Sequence, residues 1–271
     1  MTPASARRRL IVALDVETLR EARQLVRVLA AEVAWFKVGK QLFVQAGPAA
    51  VRMVRQTGAD VFLDLKFHDI PHTVAQATVE AARLGVGMVN MHAAGGLEMM
   101  RFAREETASV CRREGLVRPL LLAVTVLTSM DDGDLRQVGV RDAAESQVMR
   151  LVRLARQAGL DGVVASPHEA GRIRRAAGAR FRIVTPGVRP SGAARGDQKR
   201  VLTPHGAVVA GADYLVVGRP IRDAADPVEA VRAIVREMAG RGAPGGGGQG
   251  GGGRKERTLR RLGSSARTRR R

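Results

Sequence analysis

A lone cysteine, Cys111, in 271 residues leaves no intrachain disulfide to form and no thiolate zinc cluster to build. It sits in a helix-like stretch beside Arg112 and Arg113 and reads as a plain structural or surface residue rather than a reactive one. Aromatic residues are almost as scarce, with one Trp, one Tyr and six Phe, too few to offer nucleobases a stacking platform. No window of about 18 apolar residues is free of charge, so no membrane-spanning helix is expected. The opening MTPASARRRL runs into LIVALDV, which Asp15 interrupts and which is too short for a signal-peptide core with its cleavage site. A soluble, cytoplasmic protein is the expectation. The turn after that first apolar run is DVETLR, without the glycines of a dinucleotide-binding open sheet.

What is abundant is hydrophobic side chain, 45% of the total, enough for a full core in one large domain. Positive charge is abundant too, at a formal +19. Its distribution divides the chain. From residue 242 onward, GAPGGGGQGGGGRKERTLRRLGSSARTRRR carries nine Arg or Lys against one Glu, so the last thirty residues hold +8 of the +19. This is a Gly linker followed by a basic tail, expected to be disordered and dispensable for chemistry, with nucleic-acid contact allowed by its charge. The remaining basic residues lie as Arg along helix-like faces and read as solvated surface. Residues 1–241 are therefore expected to form one domain and residues 242–271 a low-complexity extension.

Within the first 241 residues, β-like runs alternate with helix-like segments. The runs are LIVALDV (10–16), WFKVG (35–39), VFLDLKF (61–67), MVNMHA (88–93), LLLAVTVL (120–127), GVVAS (162–166), RIVTPGV (182–188) and YLVVGRPI (214–221). Between them, segments such as ETLREARQLVRVLA, VAQATVEAARLG and DPVEAVRAIVREM repeat apolar residues at i, i+3, i+4 and i+7. Eight β-then-α units predict a closed (β/α)₈ barrel, whose chemistry gathers at the C-terminal strand ends. Those ends hold Asp15, Lys37, Asp64 and Lys66, Asn90 and His92, Thr125 and Thr128, Ser166, Thr185 with Arg189, and Gly218 with Arg219.

The densest of these clusters is DLKFHDIPHT (64–73). Strand alternation puts Asp64 and Lys66 on one side, inside the barrel mouth, and Leu63 and Leu65 on the other; Lys37 on the neighbouring strand reaches the same space. Carboxylates and ammonium groups so close make each other's ionised forms affordable. The same array could be a buried ion-pair network that only sets strand register. Composition favours chemistry: of 45 basic residues Lys stands only at 37, 40, 66, 199 and 255. Arg supplies charge elsewhere but cannot release a proton near neutral pH, whereas Lys can. Pro71 suits the first turn of a helix. Farther along, TPGVRPSGAARGDQ and VGRP follow the seventh and eighth runs, where barrels commonly bind phosphate through backbone N–H groups and a basic side chain; Arg189 and Arg219 are the candidates.

The motifs ALDV, FKVG, DLKFHDIPHT, VNMHAAGG, VTVLTS, TPGVRP, GDQ and VGRP, spread from about Leu10 to Met238, closely resemble the orotidine 5′-phosphate decarboxylase family of bacterial pyrimidine synthesis. The resemblance implies a cofactor-independent decarboxylase in which Lys66 gives a proton to C6 of the pyrimidine. It implies that Asp64 lies against the substrate carboxylate, that Lys37 supports the Asp64 and Lys66 pair and touches the ribose, and that Asp15 binds ribose hydroxyls. Asp69, Ile70 and Thr73 belong to the same matching motif; Asp69 and Thr73 are implied to reach a partner subunit's site, which makes a homodimer. Thr128 is implied to contact the pyrimidine, and Arg189, Gln198, Gly218 and Arg219 the phosphate end, with the strand-seven loop closing as a lid. His72 departs from the family's usual Asn and reads as a tolerated helix-start variant. His68 belongs to the motif but reads as packing, and His92 as a satisfied strand-end residue without metal partners.

Two rival readings remain. Sugar-phosphate decarboxylases and aldolases that resemble this family share Asp-x-Lys-x-x-Asp but use magnesium and a Glu where this chain has Lys37, and an ammonium there repels a metal. A nucleic-acid-binding protein accounts for the tail and for none of the strand-end residues; loss of residues 242–271 would remove such binding while leaving turnover.

Overall fold

The computed structural model describes residues 1–190 and 202–240; the Gly- and Arg-rich tail and Gln198 lie outside them. A short helix α1 (Pro3–Arg7) leads into β1 (Leu10–Ala13), followed by α2 (Leu19–Leu29), β2 (Trp35–Gly39), α3 (Lys40–Ala46), α4 (Pro48–Arg55) and β3 (Asp60–Phe67). Next come α5 (Pro71–Arg83), β4 (Met88–His92), α6 (Gly96–Glu114), β5 (Leu120–Val124), α7 (Asp132–Gln137), α8 (Ala144–Gln157) and β6 (Gly162–Val164). The chain continues through α9 (Ala170–Ala177), β7 (Arg182–Thr185), α10 (Pro204–Val209), β8 (Tyr214–Val217), α11 (Arg219–Arg222) and α12 (Pro227–Met238). All eight strands are parallel, pair in sequence order, and close where β1 meets β8, as the alternating pattern predicts.

Alternation along each strand sorts the core into two layers. Inside the barrel, Ile11, Ala13, Phe62, Met88, Leu122, Val124, Val164, Val184 and Val216 pack on one another. Their neighbours Leu10, Val12, Phe36, Val38, Val61, Leu63, Val89 and Met91 face outward into the helical shell. Each fully buried side chain of this size contributes roughly 1.5–3 kcal/mol. Close approach inside the barrel needs glycine at one point in particular. A Cβ on Gly162 would sit 2.1 Å from the Arg182 carbonyl oxygen.

Several strands stop sooner than their apolar runs. β8 ends at Val217 rather than Ile221, because Pro220 cannot donate to a ladder and suits a first helical turn, so Arg219–Arg222 forms α11 instead. β7 ends at Thr185, immediately before Pro186. Both truncations free polar residues to line the mouth of the barrel. Pro71 opens α5 as its position suggested, with Ile70 in extended conformation before it. Cys111 is buried on α6, where burial pushes its thiol pKa up, in keeping with a packing role.

Candidate active site

At the C-terminal end of the strands lies a cavity of about 650 Å³ whose wall includes Asp15, Lys37, Asp64, Lys66, Thr128, Arg189, Gly218 and Arg219. Eight of the twelve residues named from the sequence therefore meet in one space. Gln198 lies outside the described residues. Asp69, Ile70 and Thr73 do not line the cavity; they are exposed on the β3–α5 turn and the first turn of α5, and Ile70 is 65% exposed.

The floor is a chain of alternating charges. Lys37 Nζ donates to Asp15 Oδ1 at 2.8 Å and lies 3.4 Å from Asp64 Oδ2. Lys66 Nζ donates to Asp64 Oδ1 at 2.7 Å. The side chains of Lys37 and Asp64 keep only 9% and 11% of their exposure, Lys66 keeps 26% and Asp15 49%. Burial works against ionising Asp64, but Lys37 and Lys66 outweigh it and hold the carboxyl below its ordinary value. Burial likewise disfavours charge on Lys37, and Asp64 and Asp15 reverse this, leaving its pKa raised. Around neutral pH these two central groups are therefore an anion and a cation.

Asp64 and Lys66 share the inward face of β3, as alternation predicts, but the backbone between them is not that of a regular strand. Pairing between β3 and β4 shifts register between Leu63 and Phe67, and Lys66 has φ of +53°, the sole non-glycine residue in the left-handed region among those described. Asn90 on β4 accommodates this kink. Its side-chain oxygen accepts from the Lys66 backbone N–H at 2.8 Å, and its Nδ2 donates to Asp64 Oδ1 at 2.7 Å. Asn90 is fully buried. The sequence showed it as a polar strand end in VNMHA but carried no sign of what it held, because the pairing depends on the bulge.

Nearby glycines keep the cavity open. A Cβ on Gly39 would fall 2.9 Å from Lys37 Nζ and 3.1 Å from Asp15 Oδ1. A Cβ on Gly218 would contact Ala13 and Asp15. Three arginines also line the cavity: buried Arg189, exposed Arg219, and Arg222, whose Nη1 donates to the Asp15 carbonyl at 2.5 Å. Val188 forms a bridge with Leu202, and the Arg189 N–H donates to the Leu202 carbonyl at 3.0 Å, which closes the neck of the strand-seven loop. Lys40, Ser129 and Arg222 also line the cavity and were not singled out as site residues.

His92 is stacked near His68, with ring centroids 5.5 Å apart. Burial, then His68 and Lys66, lower its pKa to about 4, so the ring is neutral at physiological pH. His72 lies with its ring centroid 6.5 Å from that of Phe102. Among the described residues no group of three or more His, Cys, Asp or Glu is arranged to hold a metal ion, and no helix is long and apolar enough to cross a membrane.

Residues 8–234 match the family described as Orotidine 5′-phosphate decarboxylase / HUMPS family. The chain is 57% identical over 234 residues to the orotidine 5′-phosphate decarboxylase of Syntrophotalea carbinolica, covering 86% of this chain and 96% of that protein. It is 55% identical over 241 residues to the enzyme of the same name from Geobacter sulfurreducens, covering 89% and 100%. Among solved structures, the orotidine 5′-phosphate decarboxylase of Lactobacillus acidophilus superposes with a TM-score of 0.75 at 37% identity, covering 85% of this chain and 99% of that one.

Proposed function

Because the chain belongs to the orotidine 5′-phosphate decarboxylase family, we propose that it converts orotidine 5′-phosphate to UMP and carbon dioxide, in the cytoplasm, as a step of pyrimidine synthesis. The observation that carries this reading is the array of buried Lys37 and Asp64 with part-buried Lys66 in a cavity that Arg189, Arg219 and Arg222 also line.

The chemistry follows from those charges. The bond from C6 to the carboxylate breaks, carbon dioxide departs, and the electron pair stays on C6; a proton from the Lys66 ammonium then forms the new C6–H bond, leaving Lys66 neutral until solvent restores it. Ionised Asp64 repels the substrate carboxylate, and that repulsion vanishes as carbon dioxide leaves. The Lys66 ammonium attracts the charge that grows on C6, so its interaction is stronger in the transition state than in the bound substrate. Lys37 keeps Asp64 ionised and, with Asp15, faces the ribose hydroxyls. Thr128 meets the pyrimidine, and Arg189, Arg219 and the Gly218 backbone take the phosphate together with Gln198. Binding energy from that distant phosphate is available to hold the ring against the charged floor.

A homodimer completes the proposal. Exposure of Asp69, Ile70 and Thr73 at the end of β3, with Phe102 also 38% exposed, supports a second copy covering this face and receiving Asp69 and Thr73 into its own site. The test is a spectrophotometric assay of orotidine 5′-phosphate with EDTA present, comparing the unaltered chain with Lys66→Ala. The unaltered chain turns over, and the variant loses at least about 10³-fold in kcat. Absence of turnover in the unaltered chain would overturn the activity, and a variant within tenfold of it would overturn the role of Lys66.

A further inference from the structure

We propose that Asn90 is a positioning residue that sets the distance and direction between the Lys66 ammonium and the Asp64 carboxylate; this rests on the decarboxylase reading of the site. Three observations converge on it. First, one planar amide makes both contacts: Oδ1 accepts from the Lys66 backbone N–H at 2.8 Å and Nδ2 donates to Asp64 Oδ1 at 2.7 Å. Second, the Asp64 oxygen that Asn90 grips is the one Lys66 Nζ touches at 2.7 Å, so the amide and the ammonium share an acceptor. Third, Lys66 stands in the left-handed region at the point where the β3–β4 ladder slips. Its N–H has lost the regular ladder acceptor there, and the Asn90 carbonyl oxygen takes that place.

A β-branched or long residue in αL is held only when its surroundings over-determine it. Asn90, at 0% exposure, is one such determinant, and it is rigid because both ends of its amide are engaged. Without it the Lys66 backbone is free to relax toward the ordinary β region, which swings Nζ relative to Asp64. The phosphate-facing residues Arg189, Arg219 and Gly218 make none of these contacts. Loss of Asn90 should therefore fall on kcat and leave KM nearly unchanged, because misplacement by about 1 Å costs on the order of 10²-fold in rate.

Asn90→Asp gives a sharper reading. The new carboxyl keeps an oxygen for the Lys66 N–H but replaces the donor to Asp64. Ionised, it sets a second negative charge against Asp64; protonated, it regains an O–H that can donate to Asp64. Two carboxylates sharing one site raise the pKa of one of them, so kcat of this variant should be partly restored as the pH falls through that raised value, where the unaltered enzyme shows no such gain. The experiment measures kcat and KM against pH for the unaltered chain, Asn90→Ala and Asn90→Asp, with thermal melts of each. The expected result is a kcat for Asn90→Ala lower by on the order of 10²-fold, KM within about threefold, and recovery of Asn90→Asp in acid. Asn90→Ala with kcat within threefold of the unaltered chain, or Asn90→Asp with an unchanged pH profile, would overturn the assignment. Should Asn90→Ala fail to fold, the Asn90→Asp profile decides alone. Failure of the unaltered chain to turn over orotidine 5′-phosphate would overturn the decarboxylase reading itself, a separate result.

Discussion

Replacing Lys37 by Met isolates the electrostatic work of the site, since Met keeps an unbranched side chain of similar length and removes only the ammonium. In the native protein Lys37 lies 2.8 Å from Asp15 and 3.4 Å from Asp64. Asp15 is half exposed and rehydrates when its partner goes, whereas Asp64, at 11%, does not. At an effective dielectric constant of about 20, a charge pair at that separation attracts by about 5 kcal/mol. Part of this is recovered because the ammonium no longer has to be buried, and removal of one member of a buried pair typically costs 3–5 kcal/mol. Lys66 remains on Asp64 at 2.7 Å, which points to the lower end, about 3 kcal/mol. For a domain of this size that lowers Tm by about 6–12 °C.

The pH dependence has a definite sign. Asp64 has its folded-state pKa lowered, so it adds stability above the ordinary carboxylate range that is lost as the pH falls through the folded-state value. Lys37 has its pKa raised, so its contribution is complete below the ordinary lysine range and fades only in alkali. Without Lys37 the Asp64 pKa climbs, so the gap in stability between the two chains should be widest near neutral pH and narrow toward about pH 4. Thermal melts across that range measure it. A Tm unchanged to within about 2 °C at neutrality, or a gap that stays constant down to acid, would refute the account of Asp64 as a buried anion that needs two cations.

Gly39→Ala should lower both kcat and Tm, because the new methyl would sit 2.9 Å from the Lys37 ammonium and 3.1 Å from Asp15 Oδ1 and crowd that ion pair; steady-state kinetics beside a melt check it, and an unchanged Tm with kcat within about twofold would sink the reading. For the proposed shared site, mixing unfolded Lys66→Ala and Asp69→Ala chains and refolding them together tests whether Asp69 serves a partner. Hybrid dimers then contain one site with both lesions and one with neither, so about a quarter of full activity should return from two inactive parents; no recovery would mean that Asp69 acts on its own chain or not at all.

The barrel was legible because its information is local and repeated: each strand is a short apolar run bounded by polar residues, and each helix carries a periodic apolar stripe. Eight repetitions correct for one badly bounded unit. Boundaries were less legible where a run such as YLVVGRPI stays apolar past the point at which Pro220 ends the ladder. The charged floor was legible for a different reason, as Lys37, Asp64 and Lys66 all fall on inward parities of adjacent strands. Asn90 was not, although it has the same parity, because its role depends on a register slip that no periodicity encodes. Arg222 was hidden likewise: its bond to the Asp15 carbonyl joins residues 207 positions apart, and barrel closure alone brings them together.

The slip in β3 also explains how one short stretch can face in two directions. A regular strand continuing through Lys66 would carry Asp69 onward along the barrel wall. The left-handed residue shifts the ladder, which pairs once more at Phe67 and Met91 before the chain turns outward, so Asp64 and Lys66 stay in the mouth while Asp69 and Ile70 emerge on the surface. Holding a non-glycine residue there costs roughly 1–2 kcal/mol. Glycine at position 66 would remove that strain and the ammonium with it, so relief of strain alone does not restore a working site. The Asp64 and Asn90 contacts offset the cost, and both are polar and buried, so the kink persists only while the charge network is intact. Stability and chemistry at this point therefore depend on the same bonds, and substitutions at Asp64 or Asn90 should shift both.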